Sequence, residues 1–296
     1  MAALQAAFKK AVDAGAQFPN VLFLMDLENG GSCRVEEQCP APILAFFQVI
    51  RGPPYNMTVH VPYGKGSILV PDLAHAELPD PVSADWGAKL PKAIFRGPGH
   101  CPGFHSNPLL QCSRRELHKL ANRTEGSRFL DVKVWDEEDV HIDDTREGGW
   151  PELYAKYQFT LALDGHSGCM RLEELLRINS VVLKEFSPVV EFYTRALKAG
   201  EHYLDIGRDS STDVLQVIQS TSRADGERIT AKALAFADSY LCETAKLAYF
   251  QKALERYQAL FEGMDEFIEE KVWPLILARQ KLGLGKHGTV IVPWRR

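Results

Sequence analysis

The chain has 296 residues, 45% of them hydrophobic and 25% charged, enough for one large domain or two of ordinary size around a substantial core. Its formal net charge of -5 comes from interspersed charges of both signs, which leaves no basic face for a nucleic acid and still permits a small anionic ligand. No apolar run approaches the roughly 18 residues that a membrane-spanning helix requires.

In chain order, "MAALQAAFKKAVDAGAQ" reads as an alanine-rich helix whose apolar face is broken by Gln5, Lys9 and Lys10. With no basic segment ahead of it, it makes a poor signal peptide; the expectation is a cytosolic chain or a catalytic region without its leader. Residues 18 to about 110 are rich in Pro and Gly, with short apolar runs at Val21–Leu27, Ile43–Ile50, Ser67–Val70 and Lys92–Phe95. Bounded by turn formers, these predict strands or short helices joined by loops. "SRRELHKLAN" predicts a helix with Ser113 as its N-cap.

From Arg128 the alternation is cleaner. "RFLDVKVW", "QFTLALDG", "SVVLKEF" and "EHYLDIG" predict strands, and "WPELYAKY", "MRLEELLRIN" and "SPVVEFYTRALKAG" predict helices between them. Such alternation implies βαβ units and a parallel sheet. From about Ser211 to Ile276 the apolar stripe has helical spacing throughout. The expected architecture is therefore α/β, two units facing across a cleft, with a long helical C-terminal tail. The division is expected at 1–125 and 126–296.

Six cysteines are present: Cys33, Cys39, Cys101, Cys112, Cys169 and Cys242. The first four form two locally spaced pairs, which in a secreted protein would close two short disulfide loops. The sequons at Asn56 and Asn122 lean the same way. His100, Cys101, His105 and Cys112 can be read as zinc ligands, yet their spacing matches no common structural zinc pattern. A Cys101–Cys112 bridge, or free side chains on a loop, fits better, and no metal is expected.

The stretch "QFTLALDGHSGCMRLEELLRIN" holds the strongest chemical signal. A nucleophile elbow needs Gly-x-Ser-x-Gly, and Gly165-His166-Ser167-Gly168 brings the second glycine one residue too early. A phosphate seat suits the pattern: glycines allow close backbone approach at the carboxyl end of a strand, and a helix start offers free N–H groups. Arg171 there can grip an oxyanion bidentately. Equally, Arg171 can pair with Glu173, Glu174 or another carboxylate.

At this point the chain resembles a known family. Lys156-Tyr157, Asp164-Gly165, Arg171-Leu172, Ser180–Lys184, Glu191-Phe192-Tyr193, Leu197 and His202-Tyr203 occur in the order of the signature region of glycosyltransferase family 90. That group takes in capsule-associated proteins, Rumi-like protein O-glucosyltransferases and fungal xylosyltransferases. "WGAKLPKAIFRG", "RRELHKLAN" and "RFLDVKV" are similar to its upstream segments, so the likeness covers roughly residues 18 to 262. The resemblance implies a GT-B fold of two Rossmann-like halves. It implies a monomer that transfers glucose or xylose from UDP-glucose or UDP-xylose to a hydroxyl of a protein or polysaccharide. The implied mechanism is inverting and independent of metal, with no tightly bound cofactor, and the implied location is the lumen of the ER or Golgi, with the cytoplasm as the alternative.

Residue by residue, the match implies that Gly165, Ser167, Gly168, Cys169 and Arg171 line the diphosphate seat. Arg114 stands as a second cation, Glu191 meets sugar or ribose hydroxyls on one helix with Tyr193, and Arg96 is structural or shapes the cleft floor. Two departures matter. "PGHCPGFHSNPLLQC" replaces the Ser/Thr residues that usually follow Arg-Gly, and Asn29 stands where the family carries its acceptor base. Asp26 and Glu28, on one strand face, are the replacement candidates. The competing reading is a catalytically impaired binding protein that keeps the nucleotide seat.

Overall fold

In the computed structural model, residues 2–26, 42–50, 67–73, 80, 85–101, 112–135 and 150–281 are described. Glu28, Asn29, Cys33, Cys39, His105 and the sequon at Asn56 lie outside them.

An N-terminal helix, α1 (Ala2–Asp13), precedes a small parallel sheet of β1 (Leu24–Met25), β2 (Ile43–Ala45) and β4 (Ser67–Leu69), ordered β1-β2-β4. The apolar run Ile43–Ile50 divides in two, and its second part, β3 (Gln48–Val49), leaves this sheet. A larger parallel sheet follows, built from β5 (Leu90–Pro98), β6 (Leu130–Trp135), β7 (Tyr157–Ala162), β8 (Val181–Glu185) and β10 (Leu204–Ile206), in the order β10-β8-β7-β5-β6. Because β5 is interior to this sheet, the sheet begins at Leu90, and a division at residue 125 falls inside it. Leu90–Pro98 tolerates its proline Pro91 because the register with β7 slips between Leu90 and Ala93.

Strand alternation sorts the large core. Ala93, Phe95, Leu161, Val181 and Leu183 face one layer, packed on Leu117 and Leu120 of α2 (Ser113–Ala121), on α6 (Asp213–Ser220) and on Ile229 of α7 (Arg223–Tyr240). Ile94, Ala162 and Val182 face the other, against Tyr154 of α4 (Trp150–Ala155), Leu172 and Leu175 of α5 (Leu172–Leu175), and Phe236 and Ala237 of α7. Sheets covered on both faces in this way belong to the α/β class. The short α3 (Thr124–Ser127) leads into β6.

The tail after Gln258 adds α9 (Met264–Phe267), a π-helical turn (Ile268–Val272) and α10 (Trp273–Lys281). Before it, α8 (Glu243–Gln258) returns to the first sheet: Phe250, Ala253, Leu254 and Tyr257 pack on Leu4, Leu44, Val70 and Leu73. The Tyr257 hydroxyl donates to the Pro42 carbonyl at 2.9 Å. A second tie is the antiparallel pair of β3 with β9 (Val189–Val190), joining the chain beyond β2 to the chain beyond β8.

Three expectations change. "SPVVEFYTRALKAG" forms β9 and a 3-10 turn (Thr194–Ala196) instead of a helix, because the β-branched Val189-Val190 finds Gln48-Val49 as a partner. "MRLEELLRIN" forms one helical turn only. Its apolar residues Leu172, Leu175, Leu176 and Ile178 are all buried, but Asn179 adopts φ 55° and stops the helix, with the buried Lys89 ammonium donating to the Asn179 carbonyl at 2.6 Å. Finally, Cys112 takes the N-cap position of α2, and the Ser113 hydroxyl donates to the Glu185 carboxylate instead of capping.

Candidate functional site

Chain order and sheet order together locate a crevice. From β5 the chain steps outward to β6, then returns to β7 on the other side of β5, so the connections diverge between the carboxyl ends of β5 and β7. Open parallel sheets bind ligands at such a switch point. The segments that leave it are Gly99–Cys101 and Leu163–Arg171.

Arg114 closes this junction from α2. Its guanidinium donates to the Pro98 carbonyl at 3.0 Å and the Leu163 carbonyl at 3.1 Å, so it clasps both strand ends. It is buried, and its Nε has no hydrogen-bond partner. Burial lowers its pKa, with the neighbouring Arg171 charge acting in the same direction. A Cβ at position 165 would lie 2.9 Å from Arg114 Nη2, so glycine at 165 is what admits the guanidinium.

Arg171 stands at the N-cap of α5 and reaches back over β5. It donates to the Arg96 carbonyl at 2.7 Å and the Tyr154 hydroxyl at 3.1 Å, with the Phe95 and Tyr154 rings each 5.5 Å from its guanidinium carbon. Arg171 thus lies along β5 beside the pair of strand ends that Arg114 clasps, close enough for the two positive charges to repel. Arg96 is structural, its side chain paired with Asp131 at 2.8 Å.

The turn itself rests on buried polar groups. Asp164 accepts from the Ser187 hydroxyl, and its backbone N–H donates to Glu185 at 3.1 Å. Burial, then the Asp164 charge, pushes the Glu185 carboxyl up to about 7. Ser167 and Cys169 are buried, and burial raises the Cys169 thiol to about 11, which rules out a thiolate nucleophile at neutral pH. Gly168 is packed under Phe47, whose ring would lie 2.7 Å from a Cβ there, and beside Val189. With only four residues in α5, the charge on this seat comes from arginines and turn amides, since one helical turn carries little macrodipole.

A Cys101–Cys112 disulfide, Cα atoms 5.1 Å apart, ties the end of the segment after β5 to the start of α2, as one of the sequence alternatives had it. The His100 ring lies against His166 of the turn, centroids 4.2 Å apart. Among the described residues no group of three or more His, Cys, Asp or Glu side chains could hold a metal ion.

A cleft of about 200 Å³ opens beside Arg171. One wall comes from the carboxyl ends of β2 and β4: Phe46, Phe47, Val70 and Asp72. The other carries Met170, Arg171, Glu173, Glu174, Glu191 and Phe192. Glu191 is half-buried on this wall; burial, with the Glu173 charge adding to it, holds its carboxyl well above the usual range, and the Tyr193 hydroxyl donates to it at 3.2 Å. Glu173 is paired with Lys246 of α8, a lysine only 1% exposed. Asp26 sits buried after β1, its N–H on the Leu44 carbonyl, and is not among the residues lining the cleft.

The fold thus gathers Arg114, Gly165, Ser167, Cys169 and Arg171 at one switch point, with Glu191 on the adjoining cleft. Sequence reasoning missed Asp72, Phe47 and Lys246. An acid just past the apolar run Ser67–Val70 was the available signal for Asp72; nothing local marks Lys246.

A family model described as "Glycosyl transferase family 90" matches residues 74–273. Protein O-glucosyltransferase 2 of Danio rerio is 24% identical over 298 aligned residues, 93% of this chain and 56% of that protein. Protein O-glucosyltransferase 3 of Homo sapiens is 25% identical over 180 residues, 58% of this chain and 32% of that one. The chain spans between a third and just over half of the length of these relatives. Among solved structures, the pneumococcal O-GlcNAc transferase GtfA in complex with UDP and GlcNAc is similar at TM-score 0.41 and 10% identity, covering 74% of this chain and 53% of that one. Anabaena HepE in complex with UDP is similar at TM-score 0.37 and 11% identity, covering 58% and 50%. Matched over more than half of its length, from ahead of β5 to the start of α10, the protein belongs to glycosyl transferase family 90.

Proposed function

We propose that the protein is a sugar transferase that takes glucose or xylose from a UDP-sugar and delivers it to a hydroxyl of a protein or glycan acceptor. The observation that carries this reading is the pair of guanidiniums at the end of β5, Arg114 on the strand ends beside Gly165 and Arg171 beside Gly97. As the glycosyl bond breaks, charge develops on the departing diphosphate, and fixed guanidiniums stabilise it without having to reorganise. Positive charge supplied by side chains supports a mechanism that needs no metal. Gly165, Ser167, Gly168, Cys169 and Arg171 shape the donor seat, and Glu191 holds sugar or ribose hydroxyls. A carboxylate on the wall formed by the N-terminal sheet takes the acceptor proton and attack inverts the anomeric centre. The Cys101–Cys112 disulfide supports an oxidising lumen as its home.

The test is a thermal-shift screen with UDP, UDP-glucose, UDP-xylose and GDP-mannose, coupled to an assay for UDP release. At one hundred times its Kd a ligand adds about 2.7 kcal/mol of stability. UDP and one UDP-sugar should raise Tm while GDP-mannose leaves it unchanged; equal responses to all four, or to none, would contradict the reading.

A further inference from the structure

We propose that Asp72 is the base that deprotonates the acceptor hydroxyl, a role that rests on the reading of the cleft as a sugar-transfer site. Direct displacement places nucleophile and leaving group on opposite faces of the anomeric carbon. The base must therefore belong to the wall that faces Arg171, and the described carboxylate on that wall is Asp72.

The other carboxylates of the cleft fail on specific grounds. Glu174 follows Arg171 on α5 and so lies on the leaving-group side. Glu173 is committed to the Lys246 ammonium. Glu191 shares the wall that carries Arg171, on the leaving-group side, and accepts from the Tyr193 hydroxyl at 3.2 Å. Asp26 is only 5% exposed and lies off the cleft walls.

Asp72 is also well held. Val70 extends the pairing of β4, its N–H on the Ala45 carbonyl at 3.0 Å, and Val70 and Leu73 are 1% and 2% exposed. Asp72 between these two anchors is half-buried on the cleft wall, on backbone fixed by the sheet. Phe46 and Phe47, at the end of the neighbouring strand, give the same wall an apolar surface for a sugar ring.

In the step, the acceptor O–H proton passes to an Asp72 carboxylate oxygen while the acceptor oxygen bonds to the anomeric carbon. The bond from that carbon to the diphosphate oxygen breaks, and its electron pair leaves with UDP beside Arg171. Nothing else is consumed.

The experiment compares the parent chain with Asp72→Asn, using UDP-glucose or UDP-xylose, whichever raises Tm more, and reading UDP release with water and then with sodium azide as nucleophile. Azide needs no deprotonation. Removal of a general base costs about 10²–10⁴-fold. The expected result is at least a hundredfold loss of UDP release in water, UDP affinity within twofold of the parent, and recovery of release with azide as a glycosyl azide of inverted configuration. An Asp72→Asn protein that releases UDP in water within threefold of the parent overturns the assignment while leaving the donor reading intact. Loss of release that azide does not restore, with UDP binding preserved, overturns it as well. A parent that binds no UDP-sugar overturns the donor reading, and this inference with it.

Discussion

Arg114 donates to the Pro98 and Leu163 carbonyls, and Arg171 to the Arg96 carbonyl and the Tyr154 hydroxyl. A guanidinium oriented by carbonyls on its inner edge presents its charge in a fixed direction, which a flexible ammonium does not. Gly165→Ala should therefore disturb the site out of proportion to its size. The new methyl would meet Arg114 at 2.9 Å, and the expected outcome is a loss of about 1–3 kcal/mol by chemical denaturation together with at least tenfold weaker UDP binding. Glu185 makes a pH prediction. Its carboxyl, raised to about 7 by burial, binds a proton more tightly in the folded chain than in the unfolded one. The stability it contributes is full below the unfolded value of about 4.5 and is lost as pH rises through about 7, an effect on the order of 3 kcal/mol. Glu185→Gln should flatten the stability profile across that window; an unchanged slope from pH 4.5 to 7 would show that the carboxyl ionises freely. Arg171 and Gly165 were legible because spacing after a strand end marks them. Asp72 was not, since its place on the cleft wall depends on which distant residues face it.

At the scale of elements, the five strands of the large sheet and their order in the chain were readable because fully buried parallel strands are apolar runs separated by turn formers. The exceptions are instructive. Val189-Val190 sits in a stretch with helical spacing, yet pairs with Gln48-Val49, a partner 140 residues distant that no local pattern reveals. α5 stops after four residues because Lys89, from before β5, holds the Asn179 turn. α7 depends on a close approach: its Gly226 lies under Trp86, and a Cβ there would come 2.4 Å from the indole ring. Ser222 caps the same helix by accepting from the Asp225 N–H. Gly226→Ala should lift α7 from Trp86 and lower stability by about 1–3 kcal/mol, measured by urea denaturation. UDP affinity of the folded fraction should stay unchanged, because neither residue is part of the switch point.

For the molecule as a whole, the decisive element is α8, which carries the chain from the second sheet back to the first and delivers Lys246 to Glu173 in the cleft wall. Breaking a buried pair on one side leaves an uncompensated charge, typically about 3–5 kcal/mol. Lys246→Met should cost stability of that order by denaturant titration, and Lys246→Met combined with Glu173→Gln should recover most of it; a double variant as unstable as the single one would mean that the ion pair is incidental. That long return, like the approach of His100 to His166, joins segments too far apart in sequence for periodicity to register. What spacing alone conveyed was a glycine turn followed by an arginine, with a phosphate or a carboxylate as its partner; the resemblance added the diphosphate seat now proposed. The measurement that bears on it most directly is isothermal titration of UDP into the parent chain, Arg114→Lys and Arg171→Lys. A single point charge cannot reproduce the paired grip of a guanidinium, so each variant should bind at least tenfold more weakly while remaining folded. Equal UDP affinity in all three proteins would contradict a diphosphate site at the junction of β5 and β7.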